Sequence, residues 1–349
     1  MNILEIEYSK GWGGQEKRTI RLVNNLDEKY KVFFVAQPDS EIVNHKDEIN
    51  AKIIPLKMKQ IYNPLTIAKL VKIVKENNID IISTHSGKDG WLGAIVGKLT
   101  NTLVIRTRHL LTPINSPKSY NLSTITVAVS KNVEKYLKSV GVKNTTTIYT
   151  GIDTNLYKPN NLKKLRREFN IGNDVFLVGI VAVLRAAKRH KDLIEAIAPL
   201  DGVKLVIIGD GPQRKNITEL IKSKNLQDKV IMVGKRDDVN EILPDLDLFV
   251  LPSSQEALGT SILEASSCSV PVIGSRVGGI PECVNENHNG LLFEPMNVED
   301  LREKIVRMRD DKNLYSRFKQ NARDFIKRNF SVEKMVSDTQ ELYERMAGR

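Results

Sequence analysis

Residues 254–279 read SQEALGTSILEASSCSVPVIGSRVGG. An apolar strand over 248–251 delivers the chain to an acidic, glycine-containing loop at 256–259. Thr260 or Ser261 then opens a short helix, residues 270–273 form the next strand, and Gly278-Gly279 turns the chain again. A helix N-terminus carries unpaired N–H groups and the positive end of the peptide dipoles, which suits a phosphate. Gly259 lacks a Cβ and lets the backbone approach a ligand closely. Glu256 in the loop and Glu264 on the first helical turn flank that cradle. Carboxylates accept hydrogen bonds and sugar hydroxyls donate them, so the pattern fits a nucleotide sugar. A plainer reading also fits, because Ser261-x-x-Glu264 is a capping-box pattern in which Glu264 serves a backbone N–H.

Around this stretch, strands and helices alternate. The N-terminal half predicts strands over 2–6, 32–36, 79–82, 103–106, 125–129 and 146–149, with helices over 15–26, 65–74, 91–99 and 132–140. The second half predicts strands over 175–184, 204–208 and 230–233 before the one at 248–251. Helices are predicted over 192–198, 217–223, 239–243, 300–308, 314–327 and 332–346. This alternation implies βαβ units and parallel sheets, an α/β chain of two Rossmann-like domains with ligands at the carboxyl ends of the strands. The turn formers of GIDTNLYKP at 151–159 place the boundary. The expected domains are 1–155, 156–329, and a closing helical segment 330–349.

The length of 349 residues suffices for two such cores, and 41% hydrophobic with 27% charged residues is a soluble globular composition. The net charge of +11 invites nucleic acid as a partner. The lysines are scattered, aromatics make up 6%, and no RNA-binding or zinc-finger pattern appears, so an anionic membrane surface or phosphorylated substrates explain the charge equally well. Two cysteines, Cys268 and Cys283, read as reduced buried thiols, and no metal-ligand spacing occurs. Residues 1–8 start directly as a strand carrying Glu5 and Glu7, unlike a signal peptide. The longest apolar run, 175–184, is about half a membrane span. A cytoplasmic protein, at most peripheral on the cytoplasmic face of a membrane, is expected.

Several further segments carry chemistry. GWGGQEK at 11–17 puts Gly13 and Gly14 between the first strand and first helix, where backbone approaches a phosphate or sugar. THSGKDGW at 84–91 and RTRH at 106–109 each follow a strand, offering His85, Lys88, Arg106, Arg108 and His109 at one edge. LRAAK at 184–188 sets Arg185 and Lys188 at a strand end, where two cations suit a leaving diphosphate. IIGDGP at 207–212 fails as a dinucleotide fingerprint because Arg214 occupies the third glycine position, and it reads as a structural turn.

Taken together these motifs resemble the retaining glycosyltransferases of family 4, which have the two-domain GT-B architecture. The resemblance is strong over 174–347 and weaker before it. It rests on the two glutamates of 256 and 264 with LEA, Cys268 and VPV between and after them, on the GGQE loop, and on GGIPE at 278–282, which reads as support for the donor loop. Ala257 and Leu258 depart from the family's usual glycine and aromatic, and Val183 stands at its usual arginine position, so Arg185 takes that vacated role. The resemblance implies two domains facing across a cleft, with the last helix packing back on the first domain. It implies that Leu258, Gly259, Thr260 and Ser261 hold the donor diphosphate, that Glu256 orients the donor sugar and Glu264 the ribose, and that Gly234 and Lys235 (or Arg236) meet the base. Trp12, Glu16, His85, Lys88, Arg106 and Arg108 fall to the acceptor, and His109 to sugar and acceptor.

The implied function is metal-independent transfer, with retention, from a UDP- or GDP-linked sugar to a glycan, lipid-linked or phosphorylated acceptor, as in cell-surface polysaccharide or lipopolysaccharide synthesis, with no cofactor beyond the donor and no nucleic acid partner. A nucleotide-sugar epimerase of the same architecture would form product without an acceptor. A basic nucleic-acid-binding protein would bind oligonucleotides with a steep salt dependence.

Overall fold

The computed structural model describes residues 1–348. The chain divides into two compact units, one comprising Met1–Gly151 with Val332 onward, the other Ile152–Ser331. The divisions fall within a few residues of the turn read at 151–159 and of the predicted closing segment.

Unit 1 is built on β1 (Asn2–Glu7), β2 (Lys31–Ala36), β3 (Lys52–Pro55), β4 (Ile81–Thr84), β5 (Leu103–Arg108), β6 (Ile125–Ala128) and β7 (Thr145–Thr147). They form one sheet in the order β3-β2-β1-β4-β5-β6-β7, with every pairing parallel. Unit 2 carries β8 (Phe176–Val181), β9 (Val203–Ile208), β10 (Val230–Gly234), β11 (Leu248–Leu251), β12 (Val272–Ser275) and β13 (Gly290–Phe293). Their order is β10-β9-β8-β11-β12-β13, again all parallel. Sheets covered on both faces need near-continuous apolar strands, which is why VFFVA, LVII and LFVL lie in the cores.

Two strands escape the sequence patterns. β3 and β13 are four residues each, and β3 ends on Pro55 at the sheet edge, where the missing N–H costs no ladder bond. β12 starts two residues later than predicted because Pro271 cannot donate to the ladder. The helix predicted over 91–99 spans Gly87–Thr100. Its glycines lowered the sequence signal, yet they let it lie close on the sheet: a Cβ at Gly97 would stand 2.2 Å from Val104 and one at Gly93 2.5 Å from Thr84.

The closing helix Val332–Met346 belongs to unit 1. Val332, Met335, Val336, Leu342 and Tyr343 recur on one helical face and enter the same core as Leu22, Val23 and Tyr30. Tyr343 meets Tyr30 edge-on at 5.9 Å between centroids, and Lys29 pairs with Glu344 at 2.6 Å. Cys268 and Cys283 are both buried and free, with burial pushing the Cys268 thiol up to about 12. Among the described residues no helix is long and apolar enough to cross a membrane.

Candidate active site

In unit 2 the connections after β8 and β11 run to opposite sides of the sheet, and these two strands are neighbours. Such a switch point opens a crevice beyond the carboxyl ends of the strands, where open parallel sheets bind ligands. The two loops that meet there are tied together: Ser254 N donates to Ala187 O at 2.8 Å. Across this tie the Lys188 ammonium and the Glu256 carboxylate form an ion pair. Ser253 Oγ donates to the same carboxylate oxygen, Glu256 Oε1, at 2.8 Å. The Lys188 and Glu256 side chains retain 24% and 13% exposure, enough to meet a ligand while being shielded from bulk water.

The loop bearing Glu256 is held from behind by backbone. A Cβ on Gly278 would fall 1.9 Å from Glu256 O, and one on Gly279 would fall 2.3 Å from Ala257 O. Gly279 N donates to Glu256 O at 3.2 Å, Cys283 Sγ to Leu258 O at 3.0 Å, and Ser275 Oγ to Ser253 O at 2.5 Å. The GGIPE turn therefore shapes the loop, as the sequence suggests. The helix Thr260–Ser267 starts from Gly259, whose φ of +99° is a conformation that glycine adopts without strain, and no side chain caps it. Gly259, not Ser261, is therefore the N-cap, and it has no side chain with which to cap the helix. This corrects the capping-box reading of Ser261 and Glu264. Glu264 is the fifth helical residue, on the second turn rather than the first.

Other unit 2 assignments divide. Leu258 is buried, so its side chain packs inside rather than lining a ligand. Arg185 is exposed and lines a groove with His190, Gln213, Asn216 and Ile217, and it does not join Lys188 and Glu256. Val183 stands exposed at the strand end. Gly234 turns the chain at φ +82° and leaves Lys235 exposed, whereas the Arg236 N–H edges are held between Glu168 and Asp238, each at 2.7 Å.

Unit 1 repeats the layout, with its switch point between β1 and β4. Glu5 and Glu7, on β1, are fully buried. His85 Nε2 lies 2.7 Å from Glu5 Oε2, and His85 Nδ1 lies 3.3 Å from both Thr19 Oγ1 and His109 Nε2. Asp89 accepts from Tyr8 N, His85 N, Ser86 N and Ser86 Oγ, tying the loops after β1 and β4. Burial, reinforced by Asp89, pushes the Glu7 carboxyl up to about 8. Burial, with the positive charges of Arg18, His85 and Arg108, holds the half-buried His109 well below the ordinary histidine range, so it is a neutral imidazole.

Most residues expected to meet an acceptor serve the fold instead. His85 is buried, with both ring nitrogens engaged. Glu16 is buried and accepts from Gly13 N at 2.7 Å, closing the start of the helix Gly14–Asn24. Arg106 is buried, donates to Ser119 Oγ at 2.6 Å and Ser86 O at 3.2 Å, and lies 3.5 Å from the Tyr120 ring centroid. Trp12 stacks on His45 at 4.3 Å, so one indole face is already covered. Arg108 donates to Thr112 O and Oγ1. Lys88 remains exposed, donating to Tyr8 OH at 3.0 Å across the Tyr8 ring. Gly14 stays open, with nothing within 4 Å of its Cβ position.

The sequence reading passed over Ser253, Glu5 and Asp89. Glu5 had a signal, a carboxylate flanked by apolar residues in a buried strand, and Asp89 had one in Ser86-x-x-Asp89. Ser253 had none.

Comparison with known proteins agrees with this layout. The family profile described as glycosyl transferases group 1 matches residues 161–325, and the profile for glycosyltransferase family 4 matches residues 12–156. The N-acetyl-alpha-D-glucosaminyl L-malate synthase of Bacillus anthracis is 28% identical over 81% of this chain and 79% of its own length. The UDP-Gal:alpha-D-GlcNAc-diphosphoundecaprenol alpha-1,3-galactosyltransferase of Escherichia coli is 26% identical over 91% of this chain and 89% of its own. The crystal structure of Anabaena Alr3699/HepE in complex with UDP-glucose superposes with a TM-score of 0.85 at 25% identity, covering 99% of this chain and 100% of that one. With one profile on each half, relatives along most of its length and two Rossmann-like parallel sheets, the chain belongs to the group 1, family 4 glycosyltransferases of GT-B fold.

Proposed function

We propose that this glycosyltransferase moves a sugar, with retention and without a metal ion, from a UDP-linked donor to a lipid-linked or glycan acceptor in cell-surface polysaccharide synthesis, working in the cytoplasm or at the cytoplasmic face of the membrane. The observation that carries the reading is the Lys188–Glu256 pair at the unit 2 switch point, beside the uncapped start of the helix Thr260–Ser267. Lys188 and the N–H groups of Thr260 and Ser261 would take the charge that develops on the leaving diphosphate. A preorganised donor of this kind contributes on the order of 3 kcal/mol to lowering the barrier. Glu256, released from Lys188 as the diphosphate arrives, would accept from the donor sugar hydroxyls, and Glu264 from the ribose. His109, neutral and half-buried, is the unit 1 group suited to a sugar or acceptor hydroxyl. The preference for UDP and for a lipid-linked acceptor leans on the Escherichia coli relative, whose name carries both.

The deciding experiment is thermal-shift binding of UDP, GDP, ADP and CMP to the wild type, Lys188→Ala and Glu264→Ala. Stabilisation by UDP that both variants lose is expected, and stabilisation by none of the four would overturn the reading. Transfer to a diphospholipid acceptor should persist in EDTA, and anomeric NMR of the product reads retention. L-malate belongs in the acceptor panel because the Bacillus anthracis relative is named for it.

A further inference from the structure

The buried contacts around His85 determine where protons sit. Glu5 is fully buried, its Oε2 meets His85 Nε2 at 2.7 Å, and its other oxygen, Oε1, is buried without a partner. A buried carboxylate needs a full compensating charge, and at this distance an accepting oxygen requires a proton on Nε2. The other nitrogen of His85 faces two groups at 3.3 Å, Thr19 Oγ1 and His109 Nε2. Thr19 spends its single O–H on Gln15 O at 3.1 Å, so toward His85 it can only accept. The proton in that three-way contact must then come from a histidine.

We propose that Glu5 and His85 are positioning residues for His109: the Glu5 carboxylate holds His85 as an imidazolium, His85 Nδ1–H donates to His109 Nε2, and His109 is thereby fixed with its own proton on Nδ1. This rests on the reading that His109 meets substrate. Nδ1 of His109 has no protein hydrogen-bond partner among the described residues, so the nitrogen presented to substrate is a donor. His109 would thus hold a sugar, phosphate or acceptor oxygen, and would not act as a base. The charges around the pair agree in sign. Glu5 on β1 and Asp89 on the helix Gly87–Thr100 favour a charged His85, which holds its pKa above the ordinary value despite burial. Burial, with Arg18, His85 and Arg108, keeps His109 neutral.

The test is long-range ¹H–¹⁵N NMR of the full-length protein with ¹⁵N-histidine at pH 7.5, assigned with His85→Asn and His109→Ala. The expected spectrum has both His85 nitrogens protonated, and His109 protonated on Nδ1 with Nε2 bare. A proton on His109 Nε2, or a neutral His85, would overturn the relay and leave the transfer reading standing. Glu5→Gln keeps the shape and removes the charge; it should neutralise His85, release the His109 tautomer and lower kcat on the order of 10²-fold with donor KM little changed. Should Glu5→Gln fail to fold, the wild-type spectrum alone decides the proton positions. The expected tautomer combined with undiminished transfer by His109→Ala would overturn the placement of His109 at substrate, and with it the use of the relay.

Discussion

At the scale of single residues, the unit 2 site combines a charged pair, Lys188 and Glu256, with glycines that shape the loop behind it. Lys188 is the cation the structure sets against Glu256, while Arg185 faces another groove. Lys188→Ala should therefore lower kcat by about 10²–10³-fold, and Arg185→Ala by much less, measured by product formation with a UDP-sugar. Equal losses would mean that Arg185 reaches the diphosphate after all. The glycines make a second contrast. Gly278 has φ +55° and no room for a Cβ, so Gly278→Ala must push back the loop carrying Glu256. That should cost at least about 1–3 kcal/mol and weaken UDP binding, read together by melting and calorimetry. Gly14 has open space around it, so Gly14→Ala should leave Tm nearly unchanged while turnover falls, because only a ligand would meet the new methyl.

At the scale of elements, β1 and the closing helix carry the consequences. Glu7 stands about 8 in the fold against 4.5 for an ordinary glutamate. A carboxyl raised in the folded state contributes stability that is fully present below pH 4.5 and is lost as pH rises through 8, on the order of a few kcal/mol across that window. His85, also raised, acts with the same sign, whereas His109, lowered, costs stability as pH falls below 6.5. Glu7→Gln should flatten the decline between pH 5 and 8 in urea melts, and an unchanged slope would place the titration elsewhere. In the helix Val332–Met346, Tyr343 is among the largest fully buried side chains and contacts the core of unit 1. Tyr343→Ala should destabilise by about 3–5 kcal/mol, seen as a lower midpoint for unit 1 and an unshifted one for unit 2. That helix was readable from its apolar spacing and its bounds agree with the prediction, while β3, which ends on Pro55, and β13, which opens on Gly290, carry residues that weaken a strand signal.

At the scale of the whole molecule, the charge of +11 is a property of the surface rather than of one site. Binding to anionic-lipid vesicles should appear in co-sedimentation at low salt and vanish by about 0.5 M, where screening shortens to a few ångströms. Persistence at high salt would point to apolar insertion instead. The alternation of apolar strands and amphipathic helices, and the spacing of Glu256, Gly259 and Glu264, are short-range patterns. The alternation sufficed by itself to indicate two Rossmann-like domains, while the glycosyltransferase family was indicated by the resemblance of longer motifs, SQEALGTSILEASSCSVPV with GGQE and GGIPE, to that family. The partners of charged side chains that lie far apart in sequence were decided only by tertiary structure. Lys188 finds Glu256 across 68 residues and His85 finds Glu5 across 80. Those meetings depend on strand order and burial, which turn His85 and Arg106 inward to partners inside the fold and leave Lys88 exposed. Local sequence carries periodicity and conformational preference, whereas the partner of a buried charge is set by desolvation, which acts only once distant strands lie side by side.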